Sequence, residues 1–162
     1  MPRWLDYTLV GFDTETTGLS FQDDRIFEIG LVSFENGVAV DNWGPMVDPI
    51  KALSKESLEK TGVTDDDLKG KPVFASIGPE IVDRMAGKIV VGYNILGFDL
   101  PMLEAELRRN GLAMPEFAAV DALVFARGLV KSGRHTLSDM VRHFGITMET
   151  AHRATADAEA TV

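Results

Sequence analysis

The sequence predicts an α/β fold built on one mixed β-sheet, and two features of the chain lead to that prediction. The Asn36-Gly37 dipeptide supplies the two positive φ values of a tight type I′ hairpin, so the sheet begins as an antiparallel meander. Further along, helical patterns alternate with short apolar strands, a succession that requires parallel pairing. We therefore expect a mixed five-stranded sheet, an antiparallel meander plus parallel strands, flanked by helices. The predicted strands cover residues 7–15, 26–35, 38–47, 89–93 and 117–120.

Each predicted element follows from the spacing of its apolar residues. Residues 7–15 place apolar side chains on both faces, which is typical of a central, covered strand. Three later stretches repeat apolar residues with the period of a helix, and the last two end at Asn110-Gly111 and Gly145. We expect these apolar faces to pack on the sheet. They comprise Phe74, Ile77, Ile81 and Met85; Leu100, Leu103 and Leu107; and Leu137, Met140, Val141 and Phe144.

Composition and charge limit the class of protein. With 162 residues, 45% of them hydrophobic, the chain suits a single domain over 1–162. It has no cysteine, which excludes disulfides but leaves metal sites of histidine and carboxylates open. It has no apolar run of roughly 18 residues and no apolar leader, so we expect a cytoplasmic protein without membrane contact. The net charge of −9 argues against binding nucleic acid through many basic side chains, but not against an enzyme whose bound cations contact phosphates.

Asp13 and Glu15 are the first candidates for chemistry. They lie two apart on the first predicted strand, so both carboxylates leave the same face. Two like charges held this close repel, and burying them is costly unless a cation neutralises them. Mg²⁺ or Mn²⁺ would meet this need. The spacing alone is weak support, because a chain with 25 acidic residues produces it by chance.

Three separated motifs resemble those of one family. They are, in order, Asp13-Thr14-Glu15-Thr16-Thr17-Gly18-Leu19; Gly92-Tyr93-Asn94-Ile95-Leu96-Gly97-Phe98-Asp99; and His152-Arg153-Ala154-Thr155-Ala156-Asp157. This set resembles the motifs of the DEDDh 3′-to-5′ exonucleases. The most similar group is the exonuclease domain of the DNA polymerase III epsilon (proofreading) subunit and its stand-alone relatives. The resemblance covers nearly the whole chain.

The resemblance implies a ribonuclease H-like three-layer fold and a metal-dependent 3′-to-5′ exonuclease. Such an enzyme releases nucleoside 5′-monophosphates from single-stranded or frayed DNA 3′ ends. The resemblance also implies two Mg²⁺ or Mn²⁺ ions, with Asp13 bridging both. Glu15 and Asp157 would complete the site that holds the attacking water, and Asp99 would support the second ion. His152 is implied as the general base for this water, a role suited to an unperturbed pKa near 6.5.

The places of these residues in the predicted elements agree with such roles. Asp99 falls between a parallel strand and the next helix, at the strand end where open α/β sheets bind ligands. His152 and Asp157 are about 500° apart on an ideal helix, so they cannot share one helical face. We therefore expect His152 on a mobile loop just before a helix over 154–160 that contains Asp157. We expect Asp121 to cap the helix after it rather than to be a fifth ligand.

The resemblance further implies contacts with the substrate. Backbone groups of Thr16 and Thr17 would meet the sugar of the terminal nucleotide. Leu19 and Phe98 would press on the last bases, a contact that tolerates any sequence. Another interpretation stays open for Leu19 and Phe98, namely that both are core residues.

Two other functions also stay open at the level of sequence. An exoribonuclease acting on RNA 3′ ends or short oligoribonucleotides would carry the same motifs, because the choice depends on how one pocket treats a 2′-hydroxyl. A non-catalytic interaction module would keep the fold and recruit a partner. The chain stops five residues after Asp157, which fits a truncated product or a segment of a longer protein. No part resembles a polymerase-binding tail, so polymerase association is unsupported by the sequence.

Overall fold

The computed structural model describes residues 6–131, 133–146 and 152–162, and its centre is a five-stranded sheet. The strands are β1 (Leu9–Thr16), β2 (Ile26–Glu35), β3 (Val38–Trp43), β4 (Ile89–Gly92) and β5 (Ala118–Asp121). Their order in the sheet is β3-β2-β1-β4-β5. β2 pairs antiparallel with β1 and β3, whereas β4 pairs parallel with β1 and β5. The predicted mixed five-stranded sheet is confirmed.

The predicted hairpin is also present, although some strand bounds differ. Asn36 and Gly37 have φ of 51° and 77°, the positive values that a tight hairpin turn requires. β3 ends at Trp43, four residues before its predicted end. Pro45 lies in the missing part, and a proline cannot donate a hydrogen bond to the strand ladder. β1 begins at Leu9, two residues later than predicted.

Helices cover both faces of the sheet and give three layers. α3 and α4 form the main core with one face, which includes Val10 and Phe12 of β1. α7 packs on the opposite face, where Ala158 belongs to the same buried cluster as Leu9. No helix within the described ranges has both the length and the apolar composition needed to cross a membrane. The helices are α1 (Lys55–Thr61), α2 (Asp65–Leu68), α3 (Phe74–Met85), α4 (Asp99–Arg109), α5 (Ala122–Leu129), α6 (Leu137–Phe144) and α7 (Ala154–Ala160).

Two glycines allow α7 to approach the sheet closely. Gly11 of β1 lies beneath Ala158, and Gly30 of β2 lies beneath Ala154. A Cβ atom at either glycine would collide with the helix backbone, so only glycine permits this distance. The close approach brings Asp157 of α7 against the strand that carries the first motif.

Candidate active site

The site begins at the carboxyl end of β1. Leu9 faces α7, and the alternation of a strand gives Asp13 and Glu15 the same direction. Glu15 is buried, whereas Asp13 is half-buried. Both carboxylates therefore lie on one face of the sheet, as the sequence predicted, and α7 covers this face.

Asp99 is fixed by a residue of the first motif. It is the first residue of α4 and is buried. Its Oδ1 atom accepts hydrogen bonds from the Thr14 backbone N–H at 3.1 Å and from the Thr14 hydroxyl at 2.7 Å. Because Thr14 stands between Asp13 and Glu15, these bonds hold the second motif beside the first.

Asp121 organises the loop that leads to Asp99. Its Oδ1 atom accepts from the backbone N–H of Leu123 at 3.0 Å, which confirms the predicted helix cap. The same carboxylate accepts from the backbone N–H groups of Asn94 at 2.9 Å and Leu96 at 3.2 Å. Asp121 therefore acts on the site through the conformation of the second motif.

The third motif places His152 and Asp157 next to Glu15. α7 begins at Ala154, so Asp157 lies inside the helix and His152 just before it, as predicted. One potential ligand atom from each of Glu15, His152 and Asp157 lies within 4.8 Å of the other two. The loop predicted ahead of His152 corresponds to residues 147–151, which lie outside the described residues.

An ion pair with a buried carboxylate anchors the backbone next to His152. His152 has a φ of 62°, a left-handed conformation that is uncommon for residues with a Cβ atom. The neighbouring Arg153 donates from Nε to both oxygens of Glu28, at 3.0 and 3.1 Å. Glu28 is buried and lies opposite Glu15 in the β1–β2 register. This pair fixes the start of α7, and with it the place of His152, relative to the sheet.

The four carboxylates repel one another. Burial, followed by the negative charges of Asp99, Asp157 and Glu15, raises the pKa of Asp13 well above its ordinary 3.8. Burial also raises the pKa of Asp99, to about 6, although the hydrogen bonds from Thr14 oppose the change. Side chains that are far apart in the sequence thus share one electrostatic environment.

Positive groups offset only part of this negative charge. Burial raises the pKa of Glu15 against the positive charge of Lys60, whose Nζ lies 3.2 Å from Glu15 Oε2. Burial likewise raises the pKa of Asp157 against the charge of His152. The raised pKa values mean that the anionic forms of these groups are not fully stabilised by the protein alone.

The donor set fits divalent cations. Carboxylate oxygens are the ligands that Mg²⁺ and Mn²⁺ prefer. Asp157 Oδ1 and His152 Nδ1 are buried and find no hydrogen-bond partner in the part of the chain that the structure describes. Buried polar atoms of this kind are rare without a ligand or water, so they support a site that binds an ion.

A cavity of about 140 Å³ adjoins Glu15 and is lined in part by Thr16, Leu19 and Phe98. Leu19 is 78% exposed, so the interpretation of this residue as core is wrong. Phe98 is half-buried and packs against the main core, with its ring centroid 5.8 Å from that of Phe21. An exposed aliphatic residue and a supported aromatic ring therefore line the space next to the carboxylates.

The backbone of Thr16 and Thr17 ties α1 to the end of β1. The Thr17 N–H donates to the Arg25 carbonyl at 2.9 Å. The Thr16 carbonyl accepts from the Ser57 hydroxyl at 2.7 Å, and the Thr17 carbonyl accepts from the Ser54 N–H at 3.3 Å. These bonds fix the wall of the cavity. The contact of Thr16 and Thr17 with a sugar stays a prediction.

Comparison with known proteins identifies the family. The exonuclease family model RNase_T matches residues 10–162. This chain belongs to the exonuclease family. The exonuclease is 36% identical over 157 residues to the PolC-type DNA polymerase III of Listeria monocytogenes, and 34% identical over 158 residues to that of Halalkalibacterium halodurans. The alignments cover 96% and 97% of this chain but only 11% of either relative.

Solved structures agree with this assignment at the level of the fold. E. coli exonuclease I in complex with a dA16 oligonucleotide superposes with a TM-score of 0.83 at 20% identity, covering 96% of this exonuclease and 39% of that chain. Another structure of exonuclease I gives a TM-score of 0.86 at 19% identity, with the same coverage of both chains. The ribonuclease H-like fold and the family resemblance predicted from the sequence are therefore confirmed.

Three side chains that shape the site were not predicted from the sequence. Thr14 lies within the first motif, and its position between two carboxylates was a signal that could have been used. Lys60 contacts Glu15 across 45 residues, and Arg153 contacts Glu28 across 125 residues. Their roles depend on tertiary contacts, for which the local sequence carries no signal.

Proposed function

We propose that this exonuclease is a metal-dependent 3′-to-5′ enzyme. It hydrolyses phosphodiester bonds at single-stranded or frayed DNA 3′ ends and releases nucleoside 5′-monophosphates. The observation that carries the proposal is that the fold brings the carboxylates of the three motifs together: Thr14 holds Asp99 beside the first motif, and Glu15 and Asp157 offer ligand atoms within 4.8 Å of each other. Burial, followed by the charges of the other three carboxylates, raises the pKa of Asp13 well above 3.8. The PolC-type relatives support a role in proofreading, and the DNA-bound structure of exonuclease I supports a single-stranded DNA substrate.

The four carboxylates would hold two Mg²⁺ or Mn²⁺ ions, with Asp13 serving both. Such ions, when bound, lower the pKa of a water molecule and stabilise the oxygen that leaves the phosphorus. One potential ligand atom of Asp157 lies within 4.8 Å of one of Glu15, close enough for both to bind one cation. Asp99 is oriented by Thr14 toward the same region. The protein thus supplies the anionic ligands and their orientation.

His152 would act as the general base. It takes a proton from the water while the water oxygen bonds to phosphorus and the bond from phosphorus to the 3′-oxygen of the preceding nucleotide breaks. The departing 3′-oxygen takes a proton from solvent to become a hydroxyl, His152 returns its proton to solvent, and the released nucleotide keeps its 5′-phosphate. The position of His152 beside Glu15 and Asp157 supports this role. The Arg153–Glu28 pair would keep the imidazole in place.

The terminal nucleotide would occupy the cavity next to Glu15. Leu19 and Phe98 would contact its base and that of its neighbour, and backbone groups of Thr16 and Thr17 would contact the sugar. The exposure of Leu19 supports this arrangement. We take the chain as a single exonuclease domain, since one sheet and α7 connect the first motif with the last.

Digestion of matched oligonucleotides tests the proposal. A 5′-labelled single-stranded DNA and an RNA of the same sequence are incubated with the protein and Mn²⁺, and Asp13→Ala serves as the inactive control. We expect a ladder shortening from the 3′ end of the DNA, with mononucleotide release, and none with Asp13→Ala. RNA degraded far faster than DNA would favour an exoribonuclease. A folded protein that releases nothing, as Asp13→Ala does, would favour the interaction module.

A further inference from the structure

Lys60 places an ammonium group in contact with a candidate metal ligand. It lies in the last turn of α1, and its Nζ is 3.2 Å from Glu15 Oε2 and 3.5 Å from Oε1. The Glu15 side chain is only 5% exposed, whereas that of Lys60 is 53% exposed. The ammonium group therefore reaches a buried carboxylate from the solvent side of the cavity that both residues line.

The charge of Lys60 acts on more than Glu15. It also stabilises the anionic forms of Asp13 and Asp157. Within the residues that the structure describes, the Lys60–Glu15 contact is the one ion pair that the four carboxylates make. Lys60 thus supplies part of the positive charge that the cluster lacks.

α1 itself is held in place, so only the lysine side chain is free to move. Ser57 of α1 donates to the Thr16 carbonyl at 2.7 Å, and Ser54 at its cap donates to the Thr17 carbonyl at 3.3 Å. The long and half-exposed stem of Lys60 rotates without disturbing these bonds. A change of partner at Glu15 therefore requires a change of rotamer and no movement of the helix.

We propose that Lys60 is an exchangeable cation, which neutralises Glu15 in the metal-free protein and is displaced from it by the entering divalent ion. The inference rests on the proposed function, which assigns a divalent ion to Glu15. The Lys60 ammonium group and a divalent ion at the same Glu15 oxygens would repel each other, so each lowers the occupancy of the other. Lys60 stabilises the metal-free fold and lowers the affinity for the divalent ion, and these two effects have one thermodynamic origin.

Calorimetric titration with Mn²⁺ tests the exchange on the unaltered chain, Lys60→Met and Lys55→Met. Lys55 lies on the same helix but pairs with Glu59 at the surface, so it is the matched control. We expect Lys60→Met to bind Mn²⁺ about tenfold more tightly, within the usual range of coupling between two sites. The Tm of Lys60→Met in EDTA should fall. Lys55→Met should keep the Mn²⁺ affinity and the Tm of the unaltered chain.

Two outcomes separate this inference from the proposed function. Mn²⁺ binding by the unaltered chain, with equal or weaker binding by Lys60→Met, overturns the exchange and leaves the proposed function intact. A lack of Mn²⁺ binding by the unaltered chain overturns both.

A second measurement needs no destabilised variant. Lysine labelled with ¹³C at Cε reports each ammonium group by NMR, and Lys60→Arg assigns the Lys60 signal. Saturating Mg²⁺ should shift this signal to the position of a solvated lysine and leave that of Lys55 unchanged. A Lys60 signal that stays in place at saturating Mg²⁺ overturns the exchange.

Discussion

Thr14 donates two hydrogen bonds to the same oxygen of Asp99, from its backbone N–H at 3.1 Å and from its hydroxyl at 2.7 Å. A residue between the two carboxylates of the first motif therefore orients the carboxylate of the second. Hydrogen bonds to a metal ligand of this kind fix its orientation and affect the affinity for the metal. Thr14 thus links two segments that are 85 residues apart.

Replacing Thr14 with valine removes the hydroxyl bond and keeps the shape of the side chain. We expect the affinity for Mn²⁺ to fall about tenfold, because Asp99 loses one of the bonds that orient it. Calorimetry at neutral pH measures this change. Thr161→Val is the control, since its hydroxyl bonds to the Ala158 carbonyl at the far end of α7. Equal affinities for both variants would contradict the role of Thr14.

The raised pKa values predict an unusual pH dependence of the metal-free protein. A carboxyl whose pKa is higher in the folded state binds its proton more tightly there, so it stabilises the fold when protonated. For Asp99 this contribution is complete below pH 3.8 and is lost as the pH rises through about 6. The pKa of Asp13 is also raised, so its contribution to stability is likewise lost as the pH rises. In EDTA the Tm should therefore rise by several degrees as the pH is lowered from about 8 to about 5.

Two controls accompany this pH series. Asp99→Asn cannot ionise, so its Tm in EDTA should vary less with pH than that of the unaltered chain. Saturating Mn²⁺ should raise the Tm most at high pH, where the carboxylates are charged. A Tm in EDTA that falls steadily from about pH 8 to about pH 5 would show that the carboxylates are stabilised without a cation.

Leu19→Ala tests the substrate cleft. Because Leu19 is exposed, its truncation should leave the Tm unchanged and weaken binding of single-stranded DNA about tenfold, in line with the loss of one base contact. Val38→Ala, which truncates another exposed aliphatic residue at the β2–β3 hairpin, is the control. Fluorescence anisotropy measures the binding. Both variants carry Asp13→Ala as well, which prevents digestion during the measurement. Loss of affinity in both variants would show a non-specific effect.

His152→Ala separates a general base from a metal ligand. The proposed mechanism predicts that kcat falls about 100-fold or more, while the Mn²⁺ affinity changes little. The alternative role as a metal ligand follows from the closeness of His152 to Glu15 and Asp157, because its imidazole is within reach of the same cation. Weaker Mn²⁺ binding together with a normal kcat at saturating Mn²⁺ would assign His152 as a ligand instead.

Arg153→Met tests whether the ion pair with Glu28 positions His152. Removing one partner leaves a buried carboxylate unpaired, so the Tm should fall by several degrees. The double variant Arg153→Met with Glu28→Gln should recover most of the lost Tm, because no buried charge is left unpaired. Its kcat should stay low, because the start of α7 is no longer anchored. Recovery of both would show that the pair is purely structural.

Local sequence determined much of the fold and of the candidate site. The Asn36-Gly37 hairpin and the start of α7 after His152 were predicted because turn geometry and helical period act over a few residues. The contacts of Lys60 with Glu15 and of Arg153 with Glu28 were not predicted, since each joins segments that meet only when the sheet and helices are assembled. The exposure of Leu19 also required the structure, because an apolar residue in a turn suits a core and a cleft equally well.

The central claim is that Asp13, Glu15, Asp99 and Asp157 hold a pair of divalent cations. Crystals grown with Mn²⁺ and thymidine 5′-monophosphate test it directly through anomalous scattering at the manganese edge. We expect two peaks about 3.5 to 4 Å apart, both in contact with Asp13. A map without a peak in contact with Asp13, Asp99 or Asp157 would contradict the claim.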